Sequence, residues 1–209
     1  MTMIVGLHLG DYVLVAADKR ETYVVNGEVV SVISDNVNKL VDWGAGVVTG
    51  SGYVPLLSEL KSKLSQINIT TTDQILDLAK EISDSSSEQP EYWRSTTNWM
   101  FSYVANTSSG LQCRLGYMNC TKPEEIPMLH EMRATIWAKL PDLEEKIAEL
   151  NSALMPLKSP QQFQTNFQYH LHLIAQLFEY GAKHDKSVCK DFDYFIQFRN
   201  GERFLSSEA

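Results

Sequence analysis

The sequence predicts an α+β domain with its strands and helices in separate blocks. Apolar residues alternate, or run in short β-branched stretches, through the first quarter of the chain. The apolar period becomes helical after Pro55, and again after Leu143. No strand–helix–strand alternation appears, which argues against a doubly wound parallel sheet. At 209 residues the chain has about the length of one domain, by the usual ~100–200 residues. No linker or repeat divides residues 1–209.

Thr2–Leu9 alternates, with Met3, Val5, Leu7 and Leu9 on one face. Gly10-Asp11 turns the chain into Tyr12–Ala17, a uniformly apolar and therefore more buried strand. Tyr23–Val25 and Glu28–Ile33 flank Asn26-Gly27, a strong hairpin signal. Lys39–Asp42 and Ala45–Thr49 read as short strands. A helix then starts near Pro55 with Val54, Leu57, Leu60 and Leu64 inward. Thr72-Asp73 caps a second helix, with Ile75, Leu76, Ala79 and Ile82 inward. Asp84–Ser95 reads as a polar loop. Trp99–Ala105 and Leu111–Met118 are strands joined near Ser108-Ser109-Gly110, and Thr121–Pro127 is a loop. Helices are predicted at Met128–Leu140, Leu143–Leu154 and Pro160–Lys183. Phe192–Phe198 and Arg203–Leu205 close the chain as strands around Gly201. Two antiparallel sheets packed face to face, with helices outside, would use every element. Periodicity alone does not establish that stacking.

Acidic residues outnumber basic ones 26 to 18, a net charge of −8. That disfavours partners with a phosphate backbone, and it disfavours anionic lipid. Apolar runs such as Val13–Ala17 fall far short of the ~20 residues that span a bilayer. The opening residues lack a basic segment, and Cys113, Cys120 and Cys189 are odd in number with no C-x-x-C. The expectation is a cytoplasmic chain with incidental thiols, no nucleic acid and no membrane.

Several motifs imitate chemistry. Gly44-Ala-Gly46-Val-Val-Thr-Gly50 is one residue too long for a dinucleotide fingerprint, and no βαβ unit surrounds it. Gly50-Ser51-Gly52 lacks the flanking glycines of a nucleophile elbow. His170 and His172 point about 200° apart on one helix and cannot share a metal. No cofactor is expected.

The remaining source of a nucleophile and base is the N-terminus. Thr2 follows an initiator methionine that is normally removed before so small a residue. A liberated threonine carries a hydroxyl and an α-amine of pKa about 7.7–8.0, close to ideal for a general base at neutral pH.

Residues around it carry a resemblance. Thr2-Met-Ile-Val-Gly-Leu, Ala-Ala-Asp18-Lys-Arg20, Asn38-Lys39-Leu40 and Val47-Val-Thr-Gly50-Ser-Gly52 follow the order seen in proteasome-type β subunits. These belong to the N-terminal-nucleophile (Ntn) hydrolase superfamily. The resemblance is specific over residues 2–64 and architectural over 65–209. It implies a four-layer αββα sandwich and a threonine-type peptidase. By that resemblance Thr2 Oγ attacks the scissile carbonyl and the Thr2 amine serves as base and then acid. Lys39 supplies a positive field, Asp18 orients Lys39, and the Gly50 N–H forms an oxyanion hole. Arg20, Thr22 and Gly52 match positions beside the substrate strand, and Val48 matches the first specificity pocket. Asp185 matches an aspartate after the last long helix, although Ser187 lies one residue early. The family's serine-bearing turn after the second strand pair falls on Gly116-Tyr-Met-Asn-Cys-Thr-Lys-Pro-Glu-Glu, which has no serine.

The same resemblance implies copies of the chain in a ring-like oligomer, an unfolded or peptide substrate and an ATP-dependent unfoldase as partner. Two alternatives stay open: a non-catalytic ring subunit, and an Ntn amidase acting on a small molecule. Taken singly, Asp18 and Arg20 also read as a surface ion pair, Lys39 as a solvated residue, and Gly50 and Gly52 as turn glycines.

Overall fold

A computed structural model describes residues 2–25, 28–66 and 72–206. The chain is mixed α+β with antiparallel sheets. Strands β1 (Ile4–His8) and β2 (Tyr12–Asp18) form the expected hairpin, from Ile4 opposite Ala17 to His8 opposite Val13. Gly10 turns it at φ 81°, a left-handed conformation that glycine adopts without strain. A helical period over Met128–Leu140 is overturned: that segment holds a strand, Arg133–Trp137, which pairs antiparallel with β1. Met128, Met132, Ile136 and Leu140 recur every four residues and imitate a helix. Met132, however, sits at φ 56° and donates its N–H to the His8 carbonyl, so the chain joins the sheet instead.

Among the described residues seventeen elements follow in order, eleven of them strands. Beyond β1 and β2 these are β3 (Glu21–Val25), β4 (Glu28–Ser34), β5 (Val41–Asp42) and β6 (Val47–Ser51). Helices α1 (Val54–Gln66), α2 (Thr72–Ser85) and α3 (Glu91–Ser95) precede β7 (Asn98–Thr107), β8 (Gly110–Asn119) and β9 (Arg133–Trp137). Then come α4 (Leu143–Ala153), a 3-10 turn at Pro160–Gln162, α5 (Phe163–His184), β10 (Phe192–Phe198) and β11 (Arg203–Leu205). The polar stretch expected as a loop at Asp84–Ser95 therefore contains the end of α2 and all of α3. The expected Asn26-Gly27 turn and the side chain of the expected Thr72 cap lie outside the described residues.

One sheet runs β11-β10-β2-β1-β9 and another β5-β6-β7-β8, while β3 and β4 pair as a separate ribbon. Three apolar seams hold these parts. On one face of the five-stranded sheet, Met3, Val5, Leu7, Leu14 and Ala16 pack with Leu150 of α4 and Phe167, Ile174 and Phe178 of α5. Its opposite face brings Ile4, Val13, Val15 and Phe195 against Val47, Met100, Cys113 and Leu115 of the second sheet. The far face of that sheet packs Val48, Trp99 and Phe101 with Leu56, Leu60, Ile75 and Ile82 of α1 and α2. Each such side chain contributes about 1.5–3 kcal/mol by leaving water. Gly6 permits the sheets to approach, because a Cβ there would lie 2.9 Å from both Leu115 and Met100. Central placement explains why β2 is buried at every position.

Candidate active site

Asp18 ends β2 with its carboxylate fully buried. Such a charge is tolerable only when paired and hydrogen-bonded. Oδ1 accepts the Met3 N–H at 2.9 Å and the Lys39 ammonium at 2.9 Å, and Oδ2 accepts the Arg20 N–H at 2.9 Å. The Asp18 N–H returns a bond to the Met3 carbonyl at 3.1 Å. The residue that follows Thr2 is thus pinned to Asp18 through two main-chain groups.

Lys39 is 8% exposed. Its ammonium also donates to the Arg20 carbonyl at 2.6 Å. Burial pulls its pKa down, and the adjacent Asp18 carboxylate opposes that pull. Lys39 was expected to lie within a strand running from Lys39 to Asp42, but β5 covers only Val41–Asp42. Asn38 Oδ1 takes the Leu40 N–H, and the Lys39 side chain turns toward Asp18 instead of continuing the ladder.

That shortening shapes the site. The β5–β6 ladder pairs Asp42 with Val47 and Val41 with Val48. Lys39 lies two residues before its end on one side, and Gly50 two residues after it on the other. From Thr49 to Ser51 the β5 side of β6 therefore has no strand partner among the described residues. Such an edge can accept an extended chain. Gly50 pairs with Trp99 on the other side, and a Cβ there would lie 2.5 Å from Leu57 Cδ2 and 2.8 Å from the Asn98 carbonyl. Gly52 has φ 130° and presses on Thr97, whose hydroxyl accepts the Tyr53 N–H at 2.9 Å.

Arg20 is occupied by the protein itself. Its guanidinium grips Asp35 with two bonds, 2.6 and 2.9 Å, and donates to the carbonyls of Lys186 and Val188. Asp35 raises the Arg20 pKa, and Arg20 lowers that of Asp35. A cleft of about 470 Å³ opens beside this clamp, between Arg20, Asp35, Lys183 and Cys189. Thr22 follows a register shift at Glu21 and faces Val32 across the ribbon. Val48 is 1% exposed and packs in the seam beneath α1.

Asp185 lies just past α5. Its Oδ1 accepts the Ser187 N–H at 2.8 Å and the Ser187 hydroxyl at 2.7 Å. Its Oδ2 is buried with no hydrogen-bond partner among the described residues. Gly181 brings this helix end onto the N-terminal strand, since a Cβ there would sit 2.6 Å from Met3 Sδ. Sequence distance of well over a hundred residues is closed by the absence of one methyl group.

The stretch 116–125 completes β8 and then turns, the Lys122 N–H donating to the Asn119 carbonyl and the Glu125 N–H to the Lys122 carbonyl. Gly116, expected in the family's serine-bearing turn, lies within β8 opposite Phe101, with Met128 Sδ 3.0 Å from its would-be Cβ. The β1–β9 register pairs Ile4 with Trp137 and so brings Ala138-Lys139-Leu140 toward Met3 and Thr2. Expected removal of Met1 lies outside the described residues.

Sequence order suggested Asp18 and Lys39. It gave no sign of Asp35, whose partner is set by the β3–β4 ribbon, or of Lys61 on α1. Lys61 places its amine 3.5 Å from the Asn38 carbonyl, and burial together with the Lys39 charge pushes its pKa down to about 8. Among the described residues no group of three His, Cys, Asp or Glu side chains could hold a metal ion. No helix of the described residues is long and apolar enough to cross a membrane. No protein-family model matches the chain, and no curated protein matches it.

Proposed function

We propose that the chain is an Ntn hydrolase of the proteasome β-subunit type, with the three seams forming a four-layer αββα sandwich. It cleaves peptide bonds of unfolded chains with Thr2, freed of Met1. The observation that carries this reading is the buried Asp18–Lys39 pair, tethered to the Met3 N–H and the Arg20 carbonyl. The tie sets a charged lysine–aspartate pair beside the residue that follows Thr2.

In this mechanism the Thr2 amine removes the proton from Oγ, directly or through one water, as Oγ attacks the carbonyl carbon. The Lys39 ammonium stabilises the forming alkoxide, and Asp18 keeps that ammonium charged and aimed. The Gly50 N–H receives the negative charge of the tetrahedral intermediate, a contribution of roughly 10²–10³ in rate for one donor. The amine then protonates the leaving nitrogen, and water releases the acyl group. Asp185 Oδ2, an acceptor without a donor, is suited to hold the amine. In this reading Arg20, Thr22 and Gly52 form the substrate track. A homo-oligomeric ring and an unfoldase partner follow from the same reading, as does a cytoplasmic setting.

A non-catalytic ring subunit is the second reading, and the absence of a serine from residues 116–125 favours it. Intact mass before and after a peptide epoxyketone decides between them. Loss of one methionine followed by a single adduct that T2A abolishes supports the enzyme. Retention of Met1, or no adduct on free Thr2, supports the scaffold.

A further inference from the structure

Two lysines on α1 have opposite surroundings. Lys63 turns toward α2 and pairs with Glu81 at 2.7 Å and with Glu59 at 3.8 Å. Lys61 turns the other way. It is half-buried, and its amine has the Asn38 carbonyl at 3.5 Å and no carboxylate partner among the described residues. Asn38 directly precedes Lys39. One turn earlier on α1, Leu57 is the side chain that meets the space beside Gly50. Lys61 therefore stands on the helix that borders Gly50 and next to the segment that carries Lys39.

Its charge is under-compensated. Lys39 repels it, and the Asp18 carboxylate that pairs with Lys39 is already engaged by three N–H donors. A partly desolvated ammonium without a counter-ion is costly, and burial and repulsion have already moved its pKa down to about 8. The chain as a whole is acidic, so this is a local positive spot on a negative molecule. Val48, expected to favour an apolar side chain, is sealed under α1 and leaves that choice to other residues.

We propose that Lys61 binds a substrate carboxylate, selecting an acidic side chain on the acyl side of the scissile bond. This rests on the Ntn reading. An incoming carboxylate supplies the charge the fold omits, and an ammonium–carboxylate contact in a partly dry site is among the stronger hydrogen bonds.

The test compares peptide amides with Glu, Leu or Arg before the scissile bond, using the full chain, K61M and K61R. The wild-type chain is expected to prefer Glu over Leu at least tenfold in kcat/KM. K61M should lose that preference and K61R retain most of it, with melting temperatures unchanged. Preference for Leu or Arg in the wild type, or an unaltered ratio in K61M, overturns the assignment while an epoxyketone adduct on Thr2 keeps the hydrolase reading intact. Absence of both adduct and cleavage overturns the hydrolase reading and this inference together.

Discussion

Lys39 carries a stability role beside the chemical one proposed for it. K39A would leave the Asp18 carboxylate buried and uncompensated, a loss of about 3–5 kcal/mol for a broken buried pair. Denaturant unfolding should show that loss, and the accompanying D18N/K39M double variant should recover much of it while remaining unreactive toward an epoxyketone. Two histidines set the acid limit. His8 takes the Gly10 N–H on Nδ1 and so donates from Nε2 to the Cys113 carbonyl. His170 takes the Met155 N–H on Nε2 and donates from Nδ1 to the Asn166 carbonyl. Both are neutral in these roles, and burial lowers both pKa values below the usual 6.5. The unfolded chain therefore gains protons near pH 6.5 that the folded chain does not, and stability falls as pH drops below that point. Urea midpoints measured from pH 7.5 to 5 should decline, and H170Q should decline less steeply.

At the scale of elements, the hairpin β1–β2 and the helix α5 were legible because their apolar periods are long and agree with their burial. Strand β9 was not. Its four-residue recurrence is as good a helix signal as many true helices offer, and only the free edge of β1 decides the matter. Such an edge lies more than a hundred residues away in sequence, beyond the reach of any local window. Likewise the ion pair of Arg20 and Asp35 depends on the β3–β4 ribbon, and the burial of Lys61 depends on packing that no local period of α1 reveals. By contrast, Asp18, Lys39 and Gly50 were legible through their order along the chain. A test at this scale is G50A. The added methyl would strike Leu57 and the Asn98 main chain, at a cost of about 1–3 kcal/mol for overpacking. It should separate α1 from β6, detected as faster amide exchange across Val47–Ser51.

For the whole molecule, three seams account for nearly all the large buried side chains, yet the β3–β4 ribbon stays outside them. Tyr23, Val30 and Ile33 there are 55%, 61% and 59% exposed. A two-stranded ribbon is marginal alone, and contiguous exposed apolar surface of this kind marks contact sites. In the proposed ring this ribbon is the expected contact. Sedimentation should therefore find an oligomer that V30K/I33K reduces to monomers without loss of the β-sheet signal.

The place of β1 between β2 and β9 also has a consequence in time. Its neighbours are β2, made at once, and β9, whose Trp137 pairs with Ile4. At about 5–20 residues per second of synthesis, the β9 side of the first strand stays uncovered for on the order of ten seconds. For the proposed hydrolase, which needs Thr2 freed of Met1, that interval is when the start of the chain is most open to an aminopeptidase.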